Sequence, residues 1–290
     1  VNGGKILFDL YAQTGDERYK IAMDTLRKQM AEQPRTSEGG FWHKLRYPHQ
    51  MWLDGIFMAS PYLVQYGATF DEPALFDEAT KQILLIKSKT YDPATGLYYH
   101  GWDESHEQKW SNPETGCSPN FWSRSIGWYG AAIVDVLDFL PQETAGRDSI
   151  IQILQGLAKA IVKYQDPSSG TWYQVTDQGA REGNYLESSA TALFIYTLAK
   201  AINKGYIGNE YIEPTQKAFD GMVKTFTRLE EDGSYTITNC CAVAGLGGDS
   251  KRYRDGSFEY YISEPIIEND PKSVGSFILA AIEYEKMTKK

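Results

Sequence analysis

Apolar residues step by three or four positions along almost the whole chain. Tyr19, Ala22, Leu26 and Met30 form one such stripe. Leu186, Ala190, Phe194, Leu198 and Ala201 form a second, and Val274, Phe277, Ala281 and Tyr284 a third. This period predicts nine helices, at 4–13, 16–32, 50–66, 72–89, 119–139, 147–164, 184–203, 212–228 and 271–288. Thr14-Gly15-Asp16-Glu17 carries a start signal for the second, and Asn269-Asp270-Pro271 for the last. Connections alternate in length. Gln13 to Gly15 and Gly205 to Asn209 are short, which suits antiparallel neighbours. The long ones share a signature: Asp92-Pro93-Ala94-Thr95-Gly96-Leu97-Tyr98-Tyr99 matches Asp166-Pro167-Ser168-Ser169-Gly170-Thr171-Trp172-Tyr173, with a shorter echo at Glu231–Tyr235. A glycine in the left-handed position followed by alternating aromatics predicts a small hairpin in each.

The echoes recur about every 65–75 residues, one helix pair plus one long loop. A single pair cannot bury its own apolar stripe, so successive pairs must pack on one another, either as an open superhelix or as a closed ring. Long loops at one end and short ones at the other favour a ring whose mouth is a cleft. The expectation is therefore one all-α domain spanning 1–290. Nine helices do not divide evenly into hairpins, and Val1-Asn2-Gly3-Gly4 leaves little room for a cap before an apolar helix. Both facts predict a fold that lacks its N-terminal helices here.

Composition narrows the chemistry. A net charge of −9, with no long Lys or Arg run, argues against nucleic acid as a partner, and no stretch is long and apolar enough to span a membrane. Cys117, Cys240 and Cys241 cannot build a disulfide framework, which points to a reducing, cytoplasmic compartment. The 20 Tyr, 12 Phe and 7 Trp fall largely in polar, Gly-rich stretches, where they either staple loops to the core or form platforms for a ligand.

Four stretches gather candidate groups. Arg35–Lys44 and Tyr47–Gly55 place His43, Lys44, His49, Trp42 and Trp52 around Asp54, at a predicted helix start. Desolvation by the aromatics raises the pKa of Asp54, while the positive helix end lowers it; a general acid needs the first to win. The bland alternative is that Asp54 only positions the helix. Tyr98–Glu104 offers His100, with Asp103 and Glu104 as rival acids, or is merely a stapled hairpin. In Gly116–Trp128, Arg124 and Trp128 lie four apart and are expected to share a helix face, where a fork and an indole suit a sugar bearing a carboxylate. Asn184–Ser189 either lines the cleft or caps a helix. The four His residues are not at metal-ligand spacing, and neither a phosphate-cradling Gly loop nor a Gly-x-Ser-x-Gly elbow is present.

Together these stretches resemble the unsaturated glucuronyl and rhamnogalacturonyl hydrolases of glycoside hydrolase family 105. The matching segments are Arg35–Lys44, Tyr47-Pro48 with Gln50–Gly55, Gly96–Glu104, Glu114–Pro119, Phe121-Trp122, Ser125–Trp128 and Leu186–Ser189. The resemblance implies an (α/α)6 barrel of six helix hairpins. It also implies hydration of a vinyl ether in a 4,5-unsaturated uronic acid at the non-reducing end of a lyase-generated oligosaccharide. In that scheme Asp54, the Asp of Met-Trp-Leu-Asp-Gly, donates the proton, and His43, Lys44, Trp52, His100, Arg124 and Trp128 surround the substrate. No metal or organic cofactor is implied. The family's second active-site Asp would align just upstream of Val1, a departure that leaves a non-catalytic sugar-binding role open. A family 88 glucuronyl hydrolase acting on glycosaminoglycan fragments is the other alternative.

Overall fold

The computed structural model describes residues 1–248 and 253–289. Among the described residues ten α-helices follow in chain order: α1 Ile6–Thr14, α2 Glu17–Ala31, α3 Leu53–Phe70, α4 Ala74–Thr90, α5 Ser123–Val136, α6 Arg147–Lys163, α7 Ser188–Asn203, α8 Ile212–Phe226, α9 Phe258–Ser263 and α10 Pro271–Thr288. The strands are short: β1 Gln50–Trp52, β2 Gly101–Asp103, β3 Thr227–Leu229, β4 Tyr235–Ile237, β5 Cys240–Cys241 and β6 Ile266–Ile267. They pair β1 with β2, β3 with β4 and β5 with β6, all antiparallel. No described helix is long and apolar enough to cross a membrane.

The helices form two layers. In α7 every residue from Ser188 to Ala201 is buried, and α5 is buried almost all round, so both belong to an inner layer with no solvent face. The neighbouring pairs α3 with α5, α5 with α7 and α7 with α10 carry the main packing, while α4, α6 and α8 lie outside with one polar face each. Small residues set the inner spacing. A Cβ on Gly127 would come within 2.7 Å of Leu193, and one on Gly130 within 2.8 Å of Thr197, so α5 and α7 meet closely there. Deeper along the same pair, Lys200 reaches Asp135 Oδ1 at 2.7 Å and Asp138 Oδ2 at 2.6 Å, an almost buried cation held by two carboxylates.

Three differences from the predicted elements share one cause. Residues 50–52, 119–122 and 184–187 precede α3, α5 and α7 as extended chain instead of continuing them. Each is drawn into backbone pairing with a long loop: Trp52 with Gly101, Trp122 with Val175, and Leu186 with Tyr173. The repeated turns hold Gly96, Gly170 and Gly233 at φ of 79°, 75° and 82°, in the left-handed region. Only the shortest echo closes as a paired hairpin, β3–β4; Tyr91 and Tyr98 make one isolated bridge, and Asp166–Tyr173 is a turn whose tail pairs elsewhere. Helix α9 is only six residues long, too short to leave a periodic stripe.

Candidate active site

The N-termini of α3, α5 and α7 are built alike. The first residue of each donates its backbone N–H to a carbonyl from a following long loop: Leu53 to His100 at 3.0 Å, Ser123 to Gln174 at 3.0 Å and Ser188 to Asn239 at 3.0 Å. An exposed helix start leaves such N–H groups unpaired, so these bonds seat each helix on its loop. Asp54, Arg124 and Ser189 therefore occupy equivalent positions, second in their helices. The last two touch, with Arg124 Nη1 3.2 Å from Ser189 Oγ.

Asp54 sits one residue past this seat. Its Oδ2 lies 3.2 Å from Nε2 of His100, which is wholly buried, while 15% of the Asp54 side chain remains exposed. The two atoms are within ion-pair reach, but neither makes a formed hydrogen bond among the described residues. Burial pushes the Asp54 carboxyl up, but the His100 contact, with a smaller pull from His43, outweighs it and holds the group below the ordinary carboxylate value. Desolvation does not win in the free protein: Asp54 rests as a carboxylate near neutral pH.

An aromatic wall surrounds this pair. His43 stacks on Trp52 at 4.1 Å and Tyr47 stacks on the same indole at 4.8 Å. Trp52 meets His100 edge-on at 5.2 Å, and Trp122 lies 4.7 Å from His100 on another side. Burial, together with nearby Lys44, pushes His43 down to about 3, against the pull of Asp54. The ring is therefore uncharged near neutrality. A pocket of about 190 Å³ opens beside His43, Trp52 and Gly55, with Trp42, Gln33 and Gln82 in its wall; the Asp54 carboxyl is not part of that wall but faces His100. Lys44 is exposed at a tight turn bridged to Tyr47.

Arg124 is set differently from the uronate clamp that its i, i+4 spacing suggested. Its guanidinium is buried over Trp122 at 4.9 Å and not over Trp128. Nη1 donates to the Cys241 carbonyl at 2.5 Å and lies 3.8 Å from Glu187 Oε1. Trp128 instead packs on Phe57 at 4.5 Å. The structure thus brings Asp54, His100, His43 and Trp52 together, with Arg124 close enough to act on Asp54 electrostatically. It puts Lys44 at the rim and Trp128 farther along α5.

The rival acids are occupied. Asp103 is buried and caps its own loop, accepting from Ser105 and Gln108; Glu104 accepts from the Ser37 backbone and pairs with His49 at 3.6 Å. Sequence reasoning did not single out Tyr261 or Glu187 individually. Tyr261 Oη lies 2.8 Å from His100 Nδ1, and Glu187 both caps α7 and faces Arg124. An acid directly before an inner helix gave a signal for Glu187, whereas Tyr261 is 161 residues from its partner and gave none. Among the described residues no group of three His, Cys, Asp or Glu side chains is placed to hold a metal ion.

Comparison with known proteins fits this architecture. A structure described as a family 105 glycoside hydrolase from C. acetobutylicum is 45% identical, with a TM-score of 0.95, over 97% of this chain and 78% of that one. The Agrobacterium fabrum protein Atu3128 is 37% identical over 78% of this chain and 97% of its own length. The unsaturated rhamnogalacturonyl hydrolase YesR of Bacillus subtilis is 28% identical over 80% of this chain, which spans 64% of that enzyme. A heparin-specific unsaturated glucuronyl hydrolase, 13% identical with a TM-score of 0.71, shares the fold, the (α/α)6 toroid. The model of Glycosyl Hydrolase Family 88 matches residues 1–288, so the chain belongs to that family and is a glycoside hydrolase of the 88/105 type.

Proposed function

We propose that the protein removes the 4,5-unsaturated uronic acid from the non-reducing end of lyase-generated rhamnogalacturonan oligosaccharides, with Asp54 as the proton donor. The observation that carries this reading is the contact of a partly exposed Asp54 with buried His100 inside an aromatic wall. Asp54 protonates C4 of the ring double bond. The cation left at C5, stabilised by the ring oxygen, takes up water, and the regenerated carboxylate accepts the water's proton. The resulting hemiketal opens and releases the neighbouring sugar. Because Asp54 is ionised in the empty site, it must gain a proton first; an anionic uronate docking beside it disfavours a second negative charge and raises its proton affinity. The stacked Trp52 and His43 rings give the site an aromatic wall, and buried Arg124 a fixed positive field. The three buried free cysteines suit a reducing, cytoplasmic setting.

The test is incubation with lyase-generated disaccharides, followed at the ultraviolet band of the conjugated acid. The band should vanish with the rhamnogalacturonan disaccharide faster than with glycosaminoglycan disaccharides, and the reverse order would move the substrate to the second class. Asp54→Asn should lower turnover by at least about 100-fold while substrate still binds. Undiminished turnover in that variant would remove Asp54 from the mechanism.

A further inference from the structure

Two contacts run in line through the centre of the site. Tyr261 Oη stands 2.8 Å from His100 Nδ1, and His100 Nε2 stands 3.2 Å from Asp54 Oδ2. Both Tyr261 and His100 are wholly enclosed, and the Tyr261 ring is held by stacking on Trp122 at 5.9 Å with an interplanar angle of 13°. Each end of the line restricts where the imidazole proton sits. An ionised carboxylate only accepts hydrogen bonds, so an attractive contact with Asp54 requires the proton on Nε2. The phenol stays protonated, since burial pushes it well above its ordinary value, and His100 Nδ1 is the acceptor found for its O–H among the described residues. A proton on Nδ1 would turn the phenol into an acceptor, strand its own proton and set two lone pairs against each other at Asp54.

We propose that Tyr261 is a positioning residue that donates its hydroxyl proton to His100 Nδ1 and so fixes the ring's own proton on Nε2, facing Asp54. Resting on the assignment of Asp54 as proton donor, this gives α9 a role: it carries a residue 207 positions from the acid, on the far side of an imidazole, that sets the acid's resting protonation. The other groups facing this line are His43 and Lys44 before α3, Arg124 on α5, Glu187 at the cap of α7, Cys241 on β5, and Tyr260 and Asp255 at α9. None of them contacts His100 Nδ1, so at that nitrogen the tautomer answers to Tyr261, while Asp54 faces the other nitrogen.

The decisive variant is Tyr261→Phe, which keeps the ring on Trp122 and deletes only the hydroxyl. Nitrogen-15 spectra should show His100 protonated on Nε2 in the native protein and on a mixture of both nitrogens in the variant. Carboxyl carbon-13 titration of Asp54, identified by its loss in Asp54→Asn, should move upward by about one pH unit. The pH profile of turnover should move the same way, with KM nearly unchanged. An unchanged Asp54 titration in a folded variant overturns the proposal. So does an Nδ1-protonated His100 in the native protein, a reading that needs no variant to fold. The spectra do not require turnover. A protein inactive on unsaturated sugars would therefore sink the functional reading, while the nitrogen and carbon signals would still decide the placement of the His100 proton.

Discussion

His43 shows how a single ring ties the site to stability. Its folded pKa of about 3 lies far below the ordinary 6.5, so between these values the unfolded chain binds a proton that the folded protein refuses. The contribution is complete above pH 6.5 and is lost as pH falls toward 3, at up to about 1.4 kcal/mol per pH unit. Urea unfolding of the native protein and of His43→Phe, compared at pH 7 and pH 5, should show a steeper acid loss in the native protein. Parallel losses would mean that His43 is not the group responsible. The sequence located Asp54 at a helix start among aromatics but left its charge state undecided, because the two effects on it have opposite signs. What decided between them was His100, 46 residues away and brought in by the pairing of β1 with β2. Arg124 was legible as a cation beside an indole, yet its burial and its partners, Glu187 and the Cys241 carbonyl from other repeats, are not something that spacing within one helix can show.

The inner and outer helices themselves were readable, since a 3.6-residue period survives wherever one face is buried. Their first turns were not, because backbone pairing with loops overrides local helical preference there. The left-handed glycines of the repeated turns were also readable, and they make a graded prediction. At Gly233 an added Cβ meets nothing within 4 Å, so Gly233→Ala should cost only the backbone strain, about 1 kcal/mol. At Gly170 the same Cβ would lie 2.6 Å from the Lys217 carbonyl, adding a backbone clash across to α8. Gly170→Ala should therefore lose at least about twice as much in urea unfolding. Equal losses would show that α8 yields without cost.

Across the whole molecule, the mouth of the ring is held by charge buried between elements. Arg124 on α5, Glu187 at α7 and the backbone of β5 form one knot, in which Glu187 also accepts the Cys241 N–H at 2.9 Å. Glu187→Gln keeps the shape and an acceptor for the cap but leaves the guanidinium without its nearest counter-charge. The expected loss is about 3–5 kcal/mol of unfolding free energy. A loss below about 1 kcal/mol would mean that more distant carboxylates such as Asp270 neutralise Arg124 instead.

The seat at each inner helix uses a main-chain oxygen, and the residues providing it are His100, Gln174 and Asn239. Three unlike side chains hang from one repeated attachment. A peptide carbonyl is indifferent to what its residue bears, so the reagent at position 100 can be exchanged while the joint beneath it stays made. A scaffold of this kind separates holding from reacting: new specificities can be tried at the rim one residue at a time, without first dismantling the frame.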